Sequence, residues 1–393
     1  MRLLFVGCNS GGGGTESHLI ALARALAEAG HDVAAAVRAD DFIHRGLAQD
    51  PRIHLYPLEF RGRRDLRAMR ELSRITRSLE PDWMIGAFKA EYWALALVAK
   101  SAGVPLVLFS HLDQRIRPLM LSQITGLVRS VIVPSEYLRR RSIERGLPAS
   151  RVAVLSNPFD VDCLKPDAAL RARVRASLGI SDDQIVLGYV GRFEPPKGVV
   201  TLARATAKAM DSQSRLRALW VGHGRLEPAL REIARNSGHA ARNHWMPWLD
   251  HVLPAYAAMD VVALPSEGSE TFGRVLVEAQ AHGLPVLGAD NGGIPEALVE
   301  DRTGRLVPPG DVDAWAAAIG EMAGNDVLRR RFGAAARPFA ARFDSARIAG
   351  DFISMLESLE SLESLEPRGD AARVEGTVPP LAPVTLARKV GAD

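Results

Sequence analysis

The stretch Ile185-Val186-Leu187-Gly188-Tyr189-Val190-Gly191-Arg192-Phe193-Glu194-Pro195-Pro196-Lys197-Gly198 is an apolar run that breaks at a glycine into a proline-containing loop, and helical periodicity begins near Val199. A short run apolar on every residue reads as a strand buried on both faces, as in parallel sheets. Ligands of such sheets sit just past the carboxyl ends of the strands. A lysine close to a helix N-terminus opposes the helix dipole, and Arg192 in the same loop adds to the cost unless an anion lies between them. Arg192 and Lys197 therefore read as a phosphate clamp. The competing reading is a pair of solvated surface cations with Glu194 as local partner.

Outward from this unit, short apolar runs alternate with amphipathic stretches along most of the chain, the pattern of an α/β protein with parallel sheets. Strands are expected at residues 3–7, 32–37, 53–56, 83–86, 104–109, 131–133 and 152–155, then at 185–190, 216–221, 244–246, 261–264, 286–288 and 305–307. The stretch 156–166 carries two prolines and several turn formers and reads as a hinge. The expected division is a first domain over 1–160, a second over 161–343 and a helical segment at 344–360. A Glu-Ser-Leu repeat covers 357–365. Beyond it, 366–393 is poor in large apolar residues and reads as a disordered tail.

At 393 residues, with 47% hydrophobic and 24% charged residues, the composition is that of a soluble globular protein. No apolar run is long enough to span a bilayer, and the N-terminus lacks the apolar stretch of a signal peptide. Cys8 and Cys163 stand in no metal-ligand spacing. The expectation is a cytoplasmic protein without disulfides or structural zinc. Basic residues outnumber acidic ones 23 to 17 over 1–165, whereas the remainder has 26 against 29. Arg61, Arg63, Arg64, Arg67, Arg70, Arg74 and Arg77 cluster on one stretch, and Arg139, Arg140 and Arg141 on another. Such a surface suits an anionic membrane or an acidic acceptor, the alternative being a solvated arginine-rich helix. No nucleic-acid motif accompanies the charge, so no nucleic-acid partner is expected.

Three further places lie just past strands. The first strand runs into Gly11-Gly12-Gly13-Gly14 before a helix, which lets backbone N–H groups approach a ligand closely. The spacing is not Gly-x-Gly-x-x-Gly, so a flexible turn stays open as an alternative, as does a nicotinamide site using Asp40 and Asp41. After 261–264 comes Pro265-Ser266-Glu267-Gly268-Ser269-Glu270-Thr271-Phe272-Gly273-Arg274-Val275-Leu276-Val277-Glu278. Glu278 falls on a nearly all-apolar helix and needs a partner there. Arg274, four residues earlier, is available in the weaker orientation for a helical ion pair, which leaves room for ligand hydroxyls. Glu270 precedes the helix, where Thr271, Phe272 and Gly273 can present N–H groups to an anion. His111 follows the strand at 104–109, either at the cleft or as a solvated loop histidine. His18 has weaker support.

Taken with Val-Gly-His-Gly-Arg-Leu (221–226) and His-Gly-Leu-Pro-Val through Gly-Gly-Ile-Pro-Glu (282–296), these residues resemble the retaining glycosyltransferases of family 4, the group 1 transferases with the GT-B fold. The resemblance covers roughly residues 1–355. It implies two facing Rossmann-like domains with a cleft between them, the acceptor on the first and a nucleotide sugar on the second, with the last helices crossing back to the first. It also implies that Arg192 and Lys197 neutralise the diphosphate and that Glu278 accepts from the ribose hydroxyls. Glu270 would hold the transferred sugar, with His111 near it. Phe272 and Gly273 would offer N–H groups, with Thr271 beside them and Gly12, Gly13 and Gly14 closing over the same region. Gly222 and Met246 would border the base. This chain has Glu270-Thr271-Phe272-Gly273 where most relatives have Glu-Gly-Phe-Gly, and its bulky Trp245, Met246 and Trp248 occupy a segment often smaller.

A diphosphate leaving group needs preorganised positive charge. Asp160-Val-Asp162 and Asp311-Val-Asp313 match a metal-binding pattern, but the first lies in the hinge and the second opens a helix as a cap. Metal-independent transfer without a cofactor is expected. No carboxylate pair is placed like a glycosidase's nucleophile and acid, which favours front-face attack. The donor is expected to be a UDP- or GDP-sugar ahead of an ADP-sugar. The acceptor is expected to be a glycan or lipid-linked molecule of cell-surface polysaccharide or lipopolysaccharide assembly, at the inner face of the cytoplasmic membrane. The alternatives are a sugar-nucleotide epimerase and a non-catalytic sugar-nucleotide-binding protein.

Overall fold

The computed structural model describes residues 1–8, 12–62, 65–113, 126–249 and 251–365, with side chains as far as 361. The expected disordered tail and two of the clustered arginines, Arg63 and Arg64, lie outside the described residues, as does Gly11.

The first half forms β1 (Arg2–Gly7), α1 (Gly14–Glu28), β2 (Asp32–Val37), α2 (Phe42–Leu47), β3 (Ile53–Pro57), α3 (Leu66–Leu79), β4 (Trp83–Gly86), α4 (Tyr92–Ala102), β5 (Leu106–Phe109), β6 (Ser130–Val133), α5 (Glu136–Glu144) and β7 (Val152–Val154). The strands make one sheet in the order β3-β2-β1-β4-β5-β6-β7, with every pairing parallel. Side chains alternate across β1. Leu3 and Phe5 pack with Leu19, Leu22 and Leu26 of α1, and Leu4 and Val6 pack with Leu72 and Ile75 of α3 and Leu95 of α4. Each fully buried leucine contributes roughly 1.5–3 kcal/mol, so the two helical layers hold the sheet from both faces. Asp65 starts α3 by accepting from Arg67 and Ala68 N–H, and Glu80 ends it in the left-handed region just before Pro81.

The second half forms α6 (Ala168–Ser177), β8 (Ile185–Val190), α7 (Val199–Ser212), β9 (Leu216–Val221), α8 (Glu227–Asn236), β10 (Asn243–Met246), α9 (Leu253–Ala258), β11 (Val261–Leu264), α10 (Arg274–Ala281), β12 (Val286–Ala289), β13 (Gly304–Val307), α11 (Val312–Gly324), α12 (Asp326–Ala340) and α13 (Ser345–Leu365). Its sheet runs β10-β9-β8-β11-β12-β13, again with every pairing parallel. Both sheets have the doubly wound order, so the strand direction of travel reverses between β1 and β4 and between β8 and β11. These are the two places where the fold opens a ligand crevice.

The chain passes between the halves twice, and the two passages are paired. Phe159 N–H donates to Phe343 O at 2.9 Å, and Ser345 N–H donates to Phe159 O at 2.9 Å. The final helix α13 then lies on the first half, with Phe352 and Leu356 fully buried among the α1 side chains. Glu360 accepts from Trp83 Nε1 at 2.7 Å.

Candidate active site

The loop after β8 and the loop after β11 are joined by backbone hydrogen bonds, since Glu267 and Gly268 N–H both donate to Pro196 O at 3.0 and 2.8 Å. Gly198 makes this approach possible. Its φ is +63°, and a Cβ there would lie 2.0 Å from Pro265 O. The docking brings Lys197 Nζ to 2.5 Å from Glu270 Oε2, where Ser266 Oγ also donates at 3.2 Å. Lys197 thus has Glu270 as its partner, while Glu194 pairs with Arg225 at 2.9 Å. Arg192 lies on the same loop, exposed, with no side-chain partner among the described residues.

Beyond Glu270 the backbone is fixed from behind. Gly293 N–H donates to Glu270 O at 2.8 Å, and Asn291 Nδ2 donates to Ser266 O and Gly268 O at 3.1 and 2.7 Å. Phe272 is buried, and Gly273 is the N-cap of α10 with no side chain capping it, so first-turn N–H groups remain for an anion. One turn on, Glu278 Oε2 accepts from the Tyr256 hydroxyl at 2.9 Å, and Arg274 Nη2 reaches its other oxygen only at 3.5 Å. Burial, then the Glu278 charge, pushes the Tyr256 hydroxyl well above its usual range, which keeps it a proton donor. Nothing in the sequence spacing pointed to Tyr256, which comes from α9.

Gly222 and Met246 meet at the ends of β9 and β10, where Gly222 N–H donates to Met246 O at 3.1 Å. Trp245 stacks on Trp220 and carries the Arg231 guanidinium 4.2 Å from its ring centre. Trp248 is 48% exposed and meets His223 edge-on.

Opposite, Gly13 is the N-cap of α1, also without a side-chain cap, and Gly12 lies against Phe42. A Cβ at Gly14 would meet Arg274 Cδ at 3.2 Å, so the starts of α1 and α10 are neighbours across the cleft. His111 joins this wall. Its ring centre is 4.5 Å from that of His18, whose Nδ1 pairs with Asn157 Oδ1 at 3.1 Å. Burial, then Arg274, pushes His111 down to about 3, and burial followed by His111 pushes His18 well below the usual imidazole range. Both rings are neutral near pH 7. His18 is therefore part of the cleft wall, through contacts spanning 139 residues to Asn157 that no local motif reveals.

The two halves also touch directly. Ser135 Oγ donates to Thr271 O at 2.6 Å, and Ser269 Oγ donates to Asp113 at 2.9 Å. Glu296 accepts from Glu136 and Tyr137 N–H at 2.8 Å each, capping α5 from the opposite domain.

The two Asp-x-Asp segments are occupied by local structure. Asp160 accepts from Cys163 N–H at 2.9 Å and Asp162 pairs with Lys165 at 2.8 Å. Asp311 caps α11 by accepting from Asp313 and Ala314 N–H. Among the described residues no group of three or more His, Cys, Asp or Glu could hold a metal ion, and no helix is long and apolar enough to cross a membrane. Cys8 is buried and Cys163 exposed, and neither is bonded to another cysteine.

Residues 12–162 match the family described as Glycosyltransferase Family 4, and residues 184–325 match Glycosyl transferases group 1. A D-inositol 3-phosphate glycosyltransferase of Stackebrandtia nassauensis is 30% identical over 324 residues, 75% of this chain and 72% of that protein. One of Mycobacteroides abscessus is 36% identical over 218 residues, 54% of this chain and 47% of that protein. The chain spans about half the length of the first such relatives, 47% and 50%. Among solved structures, Anabaena Alr3699/HepE in complex with UDP superposes with a TM-score of 0.79 at 24% identity, covering 91% of this chain and 100% of that one. It shares the GT-B arrangement of two parallel-sheet domains. The chain belongs to the group 1 glycosyltransferases of family 4.

Proposed function

We propose that the protein is a retaining, metal-independent glycosyltransferase that moves a sugar from a nucleoside-diphosphate sugar to a glycan or lipid-linked acceptor. The observation that carries this reading is the meeting of Lys197 and Glu270 at 2.5 Å, beside the uncapped start of α10. In this reading Lys197 is the cation for phosphate and Glu270 the carboxylate for sugar hydroxyls, and the two meet at one point. Arg192 and the N–H groups of α1 and α10 add positive character, enough for a leaving diphosphate without a metal ion. Neighbouring structures carry UDP and UDP-glucose, which favours a uridine diphosphate donor.

In this reading the acceptor hydroxyl attacks the anomeric carbon on the face from which the diphosphate leaves. The anomeric C–O bond breaks, its electron pair goes to the phosphate oxygen, and that oxygen takes the acceptor's proton. Glu278 holds the ribose, Glu270 orients the sugar, and neutral His111 lines the sugar side without adding charge. The contacts between Ser135 and Thr271 and between Glu296 and α5 bridge the two halves beside the cleft, whose closure would exclude water.

The acceptor class and the location are inferred from charge. Arg61, Arg67, Arg70 and Arg74 line a groove of about 750 Å³ beside α3 together with Glu59, Asp65 and Glu71, the last paired with Arg74 at 2.6 Å, and Leu66 is 61% exposed at the start of that helix. This surface suits the anionic inner face of the cytoplasmic membrane and a role in cell-surface glycan assembly. Solved neighbours include the lipopolysaccharide transferases WaaB and WaaG. The test is a thermal-shift panel of UDP-, GDP- and ADP-sugars, followed by donor consumption with and without acceptor. Stabilisation by a donor whose consumption needs an acceptor supports transfer, and consumption without one supports an epimerase. Vesicle flotation insensitive to both salt and anionic lipid content contradicts the charge-based membrane assignment.

A further inference from the structure

Arg274 occupies an unusual position for a charged residue. It is the first residue of α10, follows the uncapped Gly273, and lies against Gly14 at the uncapped start of α1. Two helix N-termini and a guanidinium therefore meet at one point; the α1 start carries the buried Glu16 in its first turn, whereas the α10 start has no acidic residue there. Its compensation inside the protein is slight. Nη2 reaches Glu278 at 3.5 Å, and the guanidinium lies 4.5 Å from the Phe159 ring centre. Nη1 is buried with no hydrogen-bond partner among the described residues. A buried guanidinium nitrogen left unpaired costs free energy that a bound anion would recover. Glu278, which would pull the group the other way, already accepts from Tyr256 at 2.9 Å.

The position along the chain says which anion. Glu270 and Glu278 are the proposed sugar and ribose contacts, and in a sugar nucleotide the diphosphate is the segment that joins those two parts. Arg274 lies between the two glutamates in sequence and opens the helix that carries Glu278. We propose that Arg274 is a third cation on the donor diphosphate, beside Lys197 and Arg192, with Nη1 donating to a phosphate oxygen. This rests on the reading of the protein as a sugar-nucleotide enzyme.

The experiment is calorimetric titration of the wild type, Arg274→Leu, Arg274→Lys and Lys197→Met with UDP, GDP and ADP and with the matching nucleosides. The readout is the ratio of nucleoside Kd to diphosphate Kd for the base that the wild type binds. Dividing by the nucleoside removes any loss that reaches the ligand through Glu278 and the ribose. The ratio is expected to fall by about tenfold or more in Arg274→Leu. Nucleoside affinity should hold, and Arg274→Lys should recover part of the loss. An unchanged ratio in Arg274→Leu overturns the assignment, and so does an equal loss for nucleoside and diphosphate. An unchanged ratio with a raised acceptor KM would place the anion on the acceptor instead, which overturns it as well. If Arg274→Leu fails to melt cooperatively, Arg274→Lys decides, because a lysine cannot reproduce the guanidinium fork and the ratio must still drop. A wild type that binds none of the three diphosphates defeats the donor reading itself, whereas weakening by Lys197→Met but not by Arg274→Leu defeats only this inference.

Discussion

Lys197 Nζ and Glu270 Oε2 lie 2.5 Å apart although 73 residues separate them in sequence. The pair is half-buried at the junction of two loops, so each charge sets the position of the other. A cation assigned to phosphate and a carboxylate assigned to the sugar are held as one unit, and they are expected to fail as one. Lys197→Met and Glu270→Ala should each lower kcat by about 10²-fold or more. The double variant should lose little beyond the worse single one, a non-additivity that steady-state kinetics on all four proteins checks. Full additivity would mean that the two groups act separately.

Tyr256→Phe removes the hydroxyl that donates to Glu278 at 2.9 Å and leaves the carboxylate oriented only by the distant Arg274. Donor KM should rise about tenfold with kcat nearly unchanged, because the proposed ribose contact would be made equally in the ground and transition states. A 2′-deoxyribose donor separates the causes. It should be penalised less in the variant than in the wild type.

Glu296 caps α5 across the domain boundary by accepting two N–H bonds at 2.8 Å. Glu296→Ala should weaken that closure by about 1–2 kcal/mol. Small-angle scattering should then report a larger radius of gyration, and kcat should fall while nucleoside binding stays. An unchanged scattering profile would show that the cap does not govern domain closure.

Glu91 contributes a pH dependence that is independent of the site chemistry. Burial raises its carboxyl from 4.5 to about 7, opposed by the Cys8 N–H that donates to Oε1 at 2.9 Å, and Oε2 has no partner among the described residues. Between about pH 4.5 and 7 the folded protein holds a proton that the unfolded chain has released, so stability falls as pH rises through that window and levels off above it. Glu91→Gln mimics the protonated form. Its stability advantage should grow from pH 4.5 to 7 toward the order of 3 kcal/mol and then stay constant. Chemical denaturation at pH 5 and pH 8 checks this, and an advantage equal at both values would contradict it.

The strands were legible nearly residue by residue, because a parallel strand buried on both faces, such as Ile185–Val190, is apolar without alternation. The apolar run places the start of β5 two residues before the observed Leu106. Val104 and Pro105 are apolar, but Pro105 has no N–H to donate and the ladder begins at Leu106. Sequence spacing also singled out Lys197 and Glu270 on the loops after β8 and β11, which the structure brings together, and the weak orientation of Arg274 with Glu278 matches their 3.5 Å separation. What spacing could not supply is anything set by tertiary approach. Tyr256 reaches Glu278 from a neighbouring helix, Asn291 supports the Ser266–Gly268 backbone from the next loop, and His18 meets His111 and Asn157 across the fold. Lys197 presented the same limit, since only the docking of Gly198 on Pro265 makes Glu270 its partner.

The most direct measurement is a crystal structure of the protein grown with whichever of UDP, GDP and ADP raises its melting midpoint most. The account predicts the two phosphates between Arg192, Lys197 and the first turn of α10, with the ribose hydroxyls on Glu278. Nucleotide density in another part of the molecule, with Lys197 and Glu270 still joined to each other and touching no phosphate, would contradict it.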